Sequence, residues 1–343
     1  MYSAPINVCF HITSRCNLNC KHCINRNRLD SDADLTTEEL IRVVDQLGQA
    51  KVFQVSLFGG EPLCHPDFSL LVEQLNKYPM QLSLNTNATL IDRAMAKWLR
   101  KNKIRSTVVS FDGSTAEIMD RTRGKGTFEK NIKGIESLIA EGLPVLLSTT
   151  LTKINYKDIR AMVLLGRKLN AGNIRFNHVF FGGNAACFIK EVYLLPEEEK
   201  EAIEEVCALK EEFPGYIYLD STYLQQKDKI KGMKDYKPAT DKIVVPPCGA
   251  AYTKCGIRPD GWVIPCEMIW EARCGNLKER SLTEIWQNSE LMDEFRKPME
   301  LDLNEMPECK GCQYQYICFI GHRCNPYYYS GGVKDRSVYC YKN

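Results

Sequence analysis

The sequence predicts an α/β fold with parallel strands, and three observations support it. Short β-branched runs alternate with longer amphipathic stretches over the first 213 residues. The strand candidates are short and evenly interleaved with the helical ones. Beyond residue 247 the texture changes to a tail rich in Cys, Gly, Pro and Tyr. Successive strand–helix units call for crossover helices and a barrel-like or open wound sheet, and the period alone does not separate these two.

Strand candidates fall at about 6–12, 52–58, 81–86, 105–111, 144–151 and 173–181, with helical stretches near 35–49, 67–77, 91–102, 128–142, 156–170 and 196–213. The first helix starts where Thr36 and Glu39 fit a capping box, and Leu40, Val43, Val44 and Leu47 recur on one side of it. The second strand, "VFQVSLF", ends in glycines. "PEEEKEAIEEV" at 196–206 is the solvated face of a helix beginning at Pro196. From 214 to 247 the periodicity fades into a polar connector closed by Pro246 and Pro247. In the tail, Asp260 and Gly261 mark a hairpin turn and a single helix is expected over 281–295. The organisation expected is therefore 1–213, a connector at 214–247, and a cysteine-rich domain at 248–343.

At 343 residues and 39.2 kDa the chain exceeds one average domain and is long enough for a well-buried core. Its sixteen cysteines follow no signal peptide, and no apolar run approaches a membrane span. A cytoplasmic address is expected, where clustered cysteines are metal or catalytic sites rather than disulfides. The net charge of +2, with Lys and Arg scattered, argues against nucleic acid as a partner.

"CNLNCKHC" places Cys16, Cys20 and Cys23 at Cys-x3-Cys-x2-Cys spacing just after the first strand. Three thiolates from one loop cap three corners of a cubane iron–sulfur cluster, whereas structural zinc recruits a fourth ligand. His22 is the candidate fourth ligand for a zinc alternative, but it is squeezed between two of the cysteines.

This loop resembles the signature of the radical S-adenosylmethionine enzymes, and further features follow in that family's order. The resemblance implies a partial (β/α)6 TIM-like barrel whose [4Fe–4S] cluster is held by Cys16, Cys20 and Cys23. Its fourth iron would take the amino and carboxylate groups of S-adenosylmethionine, whose reductive cleavage releases a 5′-deoxyadenosyl radical. His22 stands where the family usually has an aromatic ring near the adenine. "LFGGEPL" at 57–63 resembles the family's Gly-Gly-Glu-Pro motif. Gly59 and Gly60 would admit the cofactor's amine to the backbone, Pro62 would bias Glu61 toward an extended conformation, and Glu61 would accept from the ammonium. "NTNATL" nominates Thr86 and Asn87 for the ribose and carboxylate, and "VSFDG" nominates Ser110 and Asp112; strand-end turns are the alternative for both. "RTRGKGTF" at 121–128 also occurs in relatives, without a contact assigned to Arg121 or Arg123.

The tail resembles the SPASM extension, which usually carries two auxiliary [4Fe–4S] clusters. By that family's interleaved ligation, Cys248, Cys255, Cys266 and Cys324 would hold the first and Cys309, Cys312, Cys318 and Cys340 the second. Two spacings depart from the pattern: five residues separate Cys318 from Cys324 where three are usual, and Cys255 lies unusually close to the Gly-x4-Cys. They put Cys255 and Cys324 in question and make Cys274 a substitute. Cys9, Cys64, Cys187 and Cys207 are expected to be small buried hydrophobes. A pair of zinc ribbons is the alternative for the whole tail. Glu267, next to Cys266, matches the acidic residue proposed as a proton acceptor in anaerobic sulfatase-maturing relatives.

The expected activity is hydrogen abstraction from a ribosomally made peptide, giving a crosslink, epimerisation or oxidation. Formylglycine formation on a sulfatase and decarboxylation of a tetrapyrrole or another small molecule are the other enzyme readings, and an iron–sulfur electron-transfer protein is the non-enzyme one. A low-potential donor such as flavodoxin or ferredoxin would feed the cluster. The first strand begins within ten residues of the start, so a separate protein for leader recognition, or a leaderless substrate, is expected.

Overall fold

The computed structural model describes residues 2–25, 33–180, 182–220, 242–245, 248–297, 299–305 and 310. The six expected strands are present as β1 (Asn7–His11), β2 (Gln54–Phe58), β3 (Gln81–Thr86), β4 (Ile104–Ser110), β5 (Val145–Thr150) and β6 (Asn173–Asn177). Between them run helices α1 (Thr37–Gln49), α2 (Phe68–Leu75), α3 (Arg93–Lys101), α4 (Ala116–Arg123), α5 (Thr127–Ala140) and α6 (Ile159–Lys168). Two four-residue helical turns, α7 (Asn184–Cys187) and α8 (Ile189–Val192), lead to α9 (Pro196–Glu212).

Strands β1 to β6 pair in order and in parallel, and β7 (Ile217–Asp220) adds a further parallel strand beside β6. On the other flank β9 (Lys254–Ile257) pairs parallel with β1, followed antiparallel by β10 (Trp262–Ile264) and β11 (Gly275–Asn276). The result is a ten-stranded sheet that does not close into a barrel, with β11 and β7 at its ends. A separate pair joins β8 (Lys242–Val245) to β12 (Met299–Asp302). Strands β7 and β8 thus lie within 214–247, the stretch expected to be a connector.

Alternation along the strands sets the two faces of the sheet. Val8, Phe10 and Ile12 are buried in one core cluster with Val55, Leu57, Leu82 and Leu84, under Leu40, Val43, Val44 and Leu47 of α1 and Leu71, Val72 and Leu75 of α2. Cys9 and His11 alternate with these residues and register with Ser56 and Phe58 of β2 on the opposite face. There the Ser83 hydroxyl donates to that of Ser56 at 2.8 Å. One face is therefore a helix-covered core, and the other is a polar inner surface.

The capping box at Thr36 and Glu39 forms as expected. Gly261, at φ +86°, turns the β9–β10 hairpin, where a left-handed residue needs no Cβ. Two expectations are corrected. Helix α4 falls where no helix was expected, because its buried face is Met119, Thr122 and Arg123 and carries no apolar period. The helix expected over 281–295 is two, α10 (Leu282–Asn288) and α11 (Glu290–Arg296). They break at Ser289, whose backbone is extended at ψ 118° and whose hydroxyl bonds the Cys274 thiol. Among the described residues no helix is long and apolar enough to cross a membrane.

Candidate active site

Four strand ends bring the singled-out residues together. The cysteine loop leaves β1, the glycine pair ends β2, Thr86 and Asn87 end β3, and Ser110 and Asp112 end β4. The Gly60 N–H donates to Thr13 O and the Glu61 N–H to Arg15 O, each at 2.8 Å. A Cβ on Gly59 would lie 2.5 Å from Thr13 O, and one on Gly60 would lie 2.3 Å from Arg15 O. Both distances are below van der Waals contact. In this structure the glycines therefore admit the backbone of the cysteine loop itself, a role the sequence reading had given to the cofactor's amine.

Glu61 is 1% exposed and turns inward. One carboxylate oxygen accepts from the Thr86 hydroxyl at 2.8 Å, and the other from the Asn87 N–H at 2.7 Å. Burial pushes its pKa up to about 7, against the opposing pull of these hydrogen bonds. Asn87 in turn donates to the Asn17 side chain, which lies between Cys16 and Cys20. Asn131 of α5 ties this strand end to the next, donating to Asn87 O at 2.8 Å and Ser110 O at 2.9 Å. Pro62 opens a short 3-10 turn behind the motif.

Asp112, with no exposed surface, accepts from Arg123 Nε at 2.5 Å and from the Thr150 N–H at 2.8 Å. His22 Nε2 lies 3.3 Å from the same carboxylate and 3.4 Å from Arg123 Nη2. Burial lowers the His22 pKa to about 4, so the imidazole is neutral at pH 7. It faces Asp112 and Arg123, which argues against the zinc alternative. Arg123 Nη1 reaches the Cys20 sulfur at 3.7 Å. Burial opposes the charge on Arg123, but Asp112 and Cys20 hold its pKa above the ordinary arginine value.

The cysteine loop is clamped from a third side. The Asn184 side chain donates to Asn19 Oδ1 at 2.8 Å and Cys20 O at 3.0 Å, and its N–H donates to Cys23 O. Lys21 pairs with Glu191 at 2.6 Å. Cys20 is buried, while Cys16 and Cys23 are half-buried. Burial pushes the Cys16 thiol up to about 12 and Cys20 to about 11, with Arg123 opposing the rise at Cys20. A bound metal would displace those protons. Among the described residues no three His, Cys, Asp or Glu gather tightly enough for a single ion. Three soft thiols on one clamped loop, with the neighbouring imidazole turned away, fit a larger thiolate-bound cluster that keeps one position open.

In the tail, Cys248 is half-buried and Cys255, Cys266 and Cys274 are buried. Cys255 and Cys274 lie close enough for Cys274 to reinforce the upward shift that burial imposes on Cys255. Burial also pushes the thiol of Cys9, on β1, upward; Glu267 and Cys266 reinforce that rise and Lys254 opposes it. Glu267 pairs with Lys254 at 3.3 Å and accepts from the Cys266 thiol at 3.2 Å. Burial pushes its carboxyl upward, but Lys254 and these hydrogen bonds outweigh that and hold it at about 2. Cys309, Cys312, Cys318, Cys324 and Cys340 lie outside the described residues.

The sequence reading flagged the stretch that holds Arg123 without assigning it a contact, and it missed Asn131 and Asn184 as parts of the site. Asn131 alone left a signal, a polar residue in the buried stripe of Gly134, Ile135 and Leu138.

The sequence model of the Radical SAM superfamily matches residues 10–166, and that of the SPASM iron–sulfur cluster-binding domain matches 248–313. The AdoMet-dependent heme synthase of Methanosarcina barkeri is 28% identical over 357 residues, covering 99% of this chain and 97% of that protein. The mycofactocin maturase MftC of Mycobacterium tuberculosis is 26% identical over 320 residues, covering 92% and 77%. The crystal structure of Streptococcus suis SuiB bound to its precursor peptide SuiA superposes with a TM-score of 0.76 at 19% identity, covering 98% of this chain and 76% of that one. The chain belongs to the radical S-adenosylmethionine enzymes and carries a C-terminal SPASM domain. Its cofactors are accordingly S-adenosylmethionine and iron–sulfur clusters.

Proposed function

We propose that this enzyme abstracts a hydrogen atom from a ribosomally made peptide, using S-adenosylmethionine cleaved at the Cys16–Cys20–Cys23 loop. The observation that carries the reading is the buried Asp112–Arg123–Cys20 chain, a fixed cation against one cysteine of an otherwise thiol-only site. When bound, the cluster and S-adenosylmethionine supply the one-electron cleavage that yields the 5′-deoxyadenosyl radical, and the protein contributes binding, orientation and shielding. Gly59, Gly60 and Pro62 let the second strand end lie against the loop, where it offers backbone carbonyls to the cofactor's amine. Glu61 acts from behind, fixing the Thr86–Asn87 strand end that faces the ribose and carboxylate. Ser110 lines the fourth strand end, Asp112 holds Arg123 in place, and neutral His22 borders the adenine.

In the tail, two further clusters would bring the total to three. One takes Cys248, Cys255, Cys266 and Cys324, with Cys274 beside Cys255 as its substitute, and the other takes Cys309, Cys312, Cys318 and Cys340. Glu267 accepts a substrate proton in this reading only once Lys254 releases it. The enzyme acts in the cytoplasm, with a flavodoxin- or ferredoxin-like donor and a separate leader-binding protein. Similarity to MftC and the shared fold of peptide-bound SuiB support the peptide as substrate.

The test is anaerobic reconstitution followed by dithionite and S-adenosylmethionine. 5′-Deoxyadenosine and methionine are expected, and a peptide encoded beside the gene should lose two hydrogens or exchange one for deuterium. A cluster-loaded protein that yields neither nucleoside nor methionine is incompatible with the proposal. A second reading, decarboxylation of an iron tetrapyrrole, is favoured by one observation: the heme synthase match spans 97% of that protein, against 77% for MftC. Loss of carbon dioxide from an iron porphyrin would select it.

A further inference from the structure

On the inner face of the sheet, two residues before Thr13 meets the glycine pair, His11 ends β1 opposite Phe58. It is 2% exposed, and neither ring nitrogen has a hydrogen-bond partner among the described residues. Its ring packs edge-on against Trp270 at 4.9 Å between centroids, and lies 5.3 Å from Phe58. Trp270 is 3% exposed, and its indole Nε1 also lacks a partner among the described residues. Two adjacent buried side chains from distant segments thus leave three polar nitrogens unanswered. Buried polar groups are almost always paired, so such a cluster calls for a partner that the described residues do not supply.

The chemistry of the three nitrogens restricts what fits. Burial lowers the His11 pKa to about 4, with Glu267 opposing and Arg258 assisting, so the ring is neutral and carries one donor and one acceptor. The indole is a donor only. The neighbouring charges are already committed, Arg258 to Asp260 at 2.7 Å and Glu267 to Lys254. An ionic ligand would enter a desolvated spot without a countercharge, at a high cost. An amide, which presents one acceptor and one donor within a plane, answers two of the three nitrogens, the indole donor and the imidazole acceptor.

We propose that His11 and Trp270 form a substrate subsite that takes a neutral amide group of the peptide, its carbonyl accepting from Trp270 Nε1 and its N–H donating to the imidazole of His11. This rests on the peptide reading above and names how the substrate is seated between the radical site and the tail. A peptide bond held there lies beside Gly59, at the C-terminal edge of β1 and β2.

The test uses reconstituted holoenzyme labelled with 5-fluorotryptophan, whose four tryptophans give four fluorine resonances, with Trp270 assigned by its loss in Trp270→Phe. N-methylacetamide should shift the Trp270 resonance, acetate at equal concentration should not, and His11→Phe should weaken the response about tenfold. Unchanged resonances of Trp98, Trp262 and Trp286 report that each variant is folded. No response to the amide, an equal response to acetate, or an unaltered titration in folded His11→Phe each overturns the subsite. If the holoenzyme decarboxylates an iron tetrapyrrole while Trp270 still answers the amide, the peptide reading falls and the subsite stands.

Discussion

The guanidinium of Arg123 lies 3.7 Å from the sulfur of Cys20. Asp112 fixes it there through Nε, and neither residue has more than a small fraction of its surface in water. Arg123→Ala leaves the Asp112 carboxylate buried and unpaired, which should cost about 3–5 kcal/mol of folding stability. Replacing both residues with apolar ones should recover much of that loss. Urea unfolding of the two single variants and the double variant measures the coupling directly.

Glu61 gives the protein a pH signature. Its folded pKa of about 7 lies above the ordinary value of 4.5. Its contribution is therefore fully present below pH 4.5 and is lost as the pH rises through 7, because the unfolded chain ionises first. Wild type should lose roughly 2–4 kcal/mol relative to Glu61→Gln between pH 4.5 and 8. Denaturant midpoints for the two proteins across that range check the sign.

The meeting of the two loops allows no added carbon. Gly60→Ala puts a Cβ 2.3 Å from Arg15 O, a backbone atom with nowhere to retreat. A loss of about 1–3 kcal/mol and a lower iron content after reconstitution are expected. Gly172→Ala, whose Cβ would meet only Val145 O at 3.4 Å, serves as the control and should stay within about 0.5 kcal/mol of wild type.

Asn184 joins a segment more than 150 residues away in sequence to the cysteine loop. Asn184→Ala removes the donors to Cys20 O and Asn19, which should cost about 1–3 kcal/mol locally. Iron should then transfer to an external chelator faster than in wild type. Equal transfer rates would show that the clamp does not hold the loop.

What the sequence made legible was local. Each of the six expected strands lies within about four residues of its observed limits, because alternation and flanking turn residues are encoded inside each segment. The cysteine spacing and the Gly-Gly-Glu-Pro stretch were visible for the same reason. Pairings between distant segments were not. Nothing in "KCGI" announces that it will lie beside β1, and nothing in "RTRG" says that Arg123 points at Cys20 rather than at solvent. The break at Ser289 was hidden because apolar positions continue across it, while the cause is a hydroxyl turned toward Cys274.

The placement of β1 between β2 and β9 has a cost for any attempt to trim the molecule. Strand β1 carries hydrogen bonds on both flanks, and one flank is supplied by residues 247 positions downstream. A fragment ending before Lys254 would present that flank as a raw edge, open to pairing with another copy. The tail is thus a structural seal on the catalytic half, and a nascent chain remains unsealed until Lys254–Ile257 has left the ribosome.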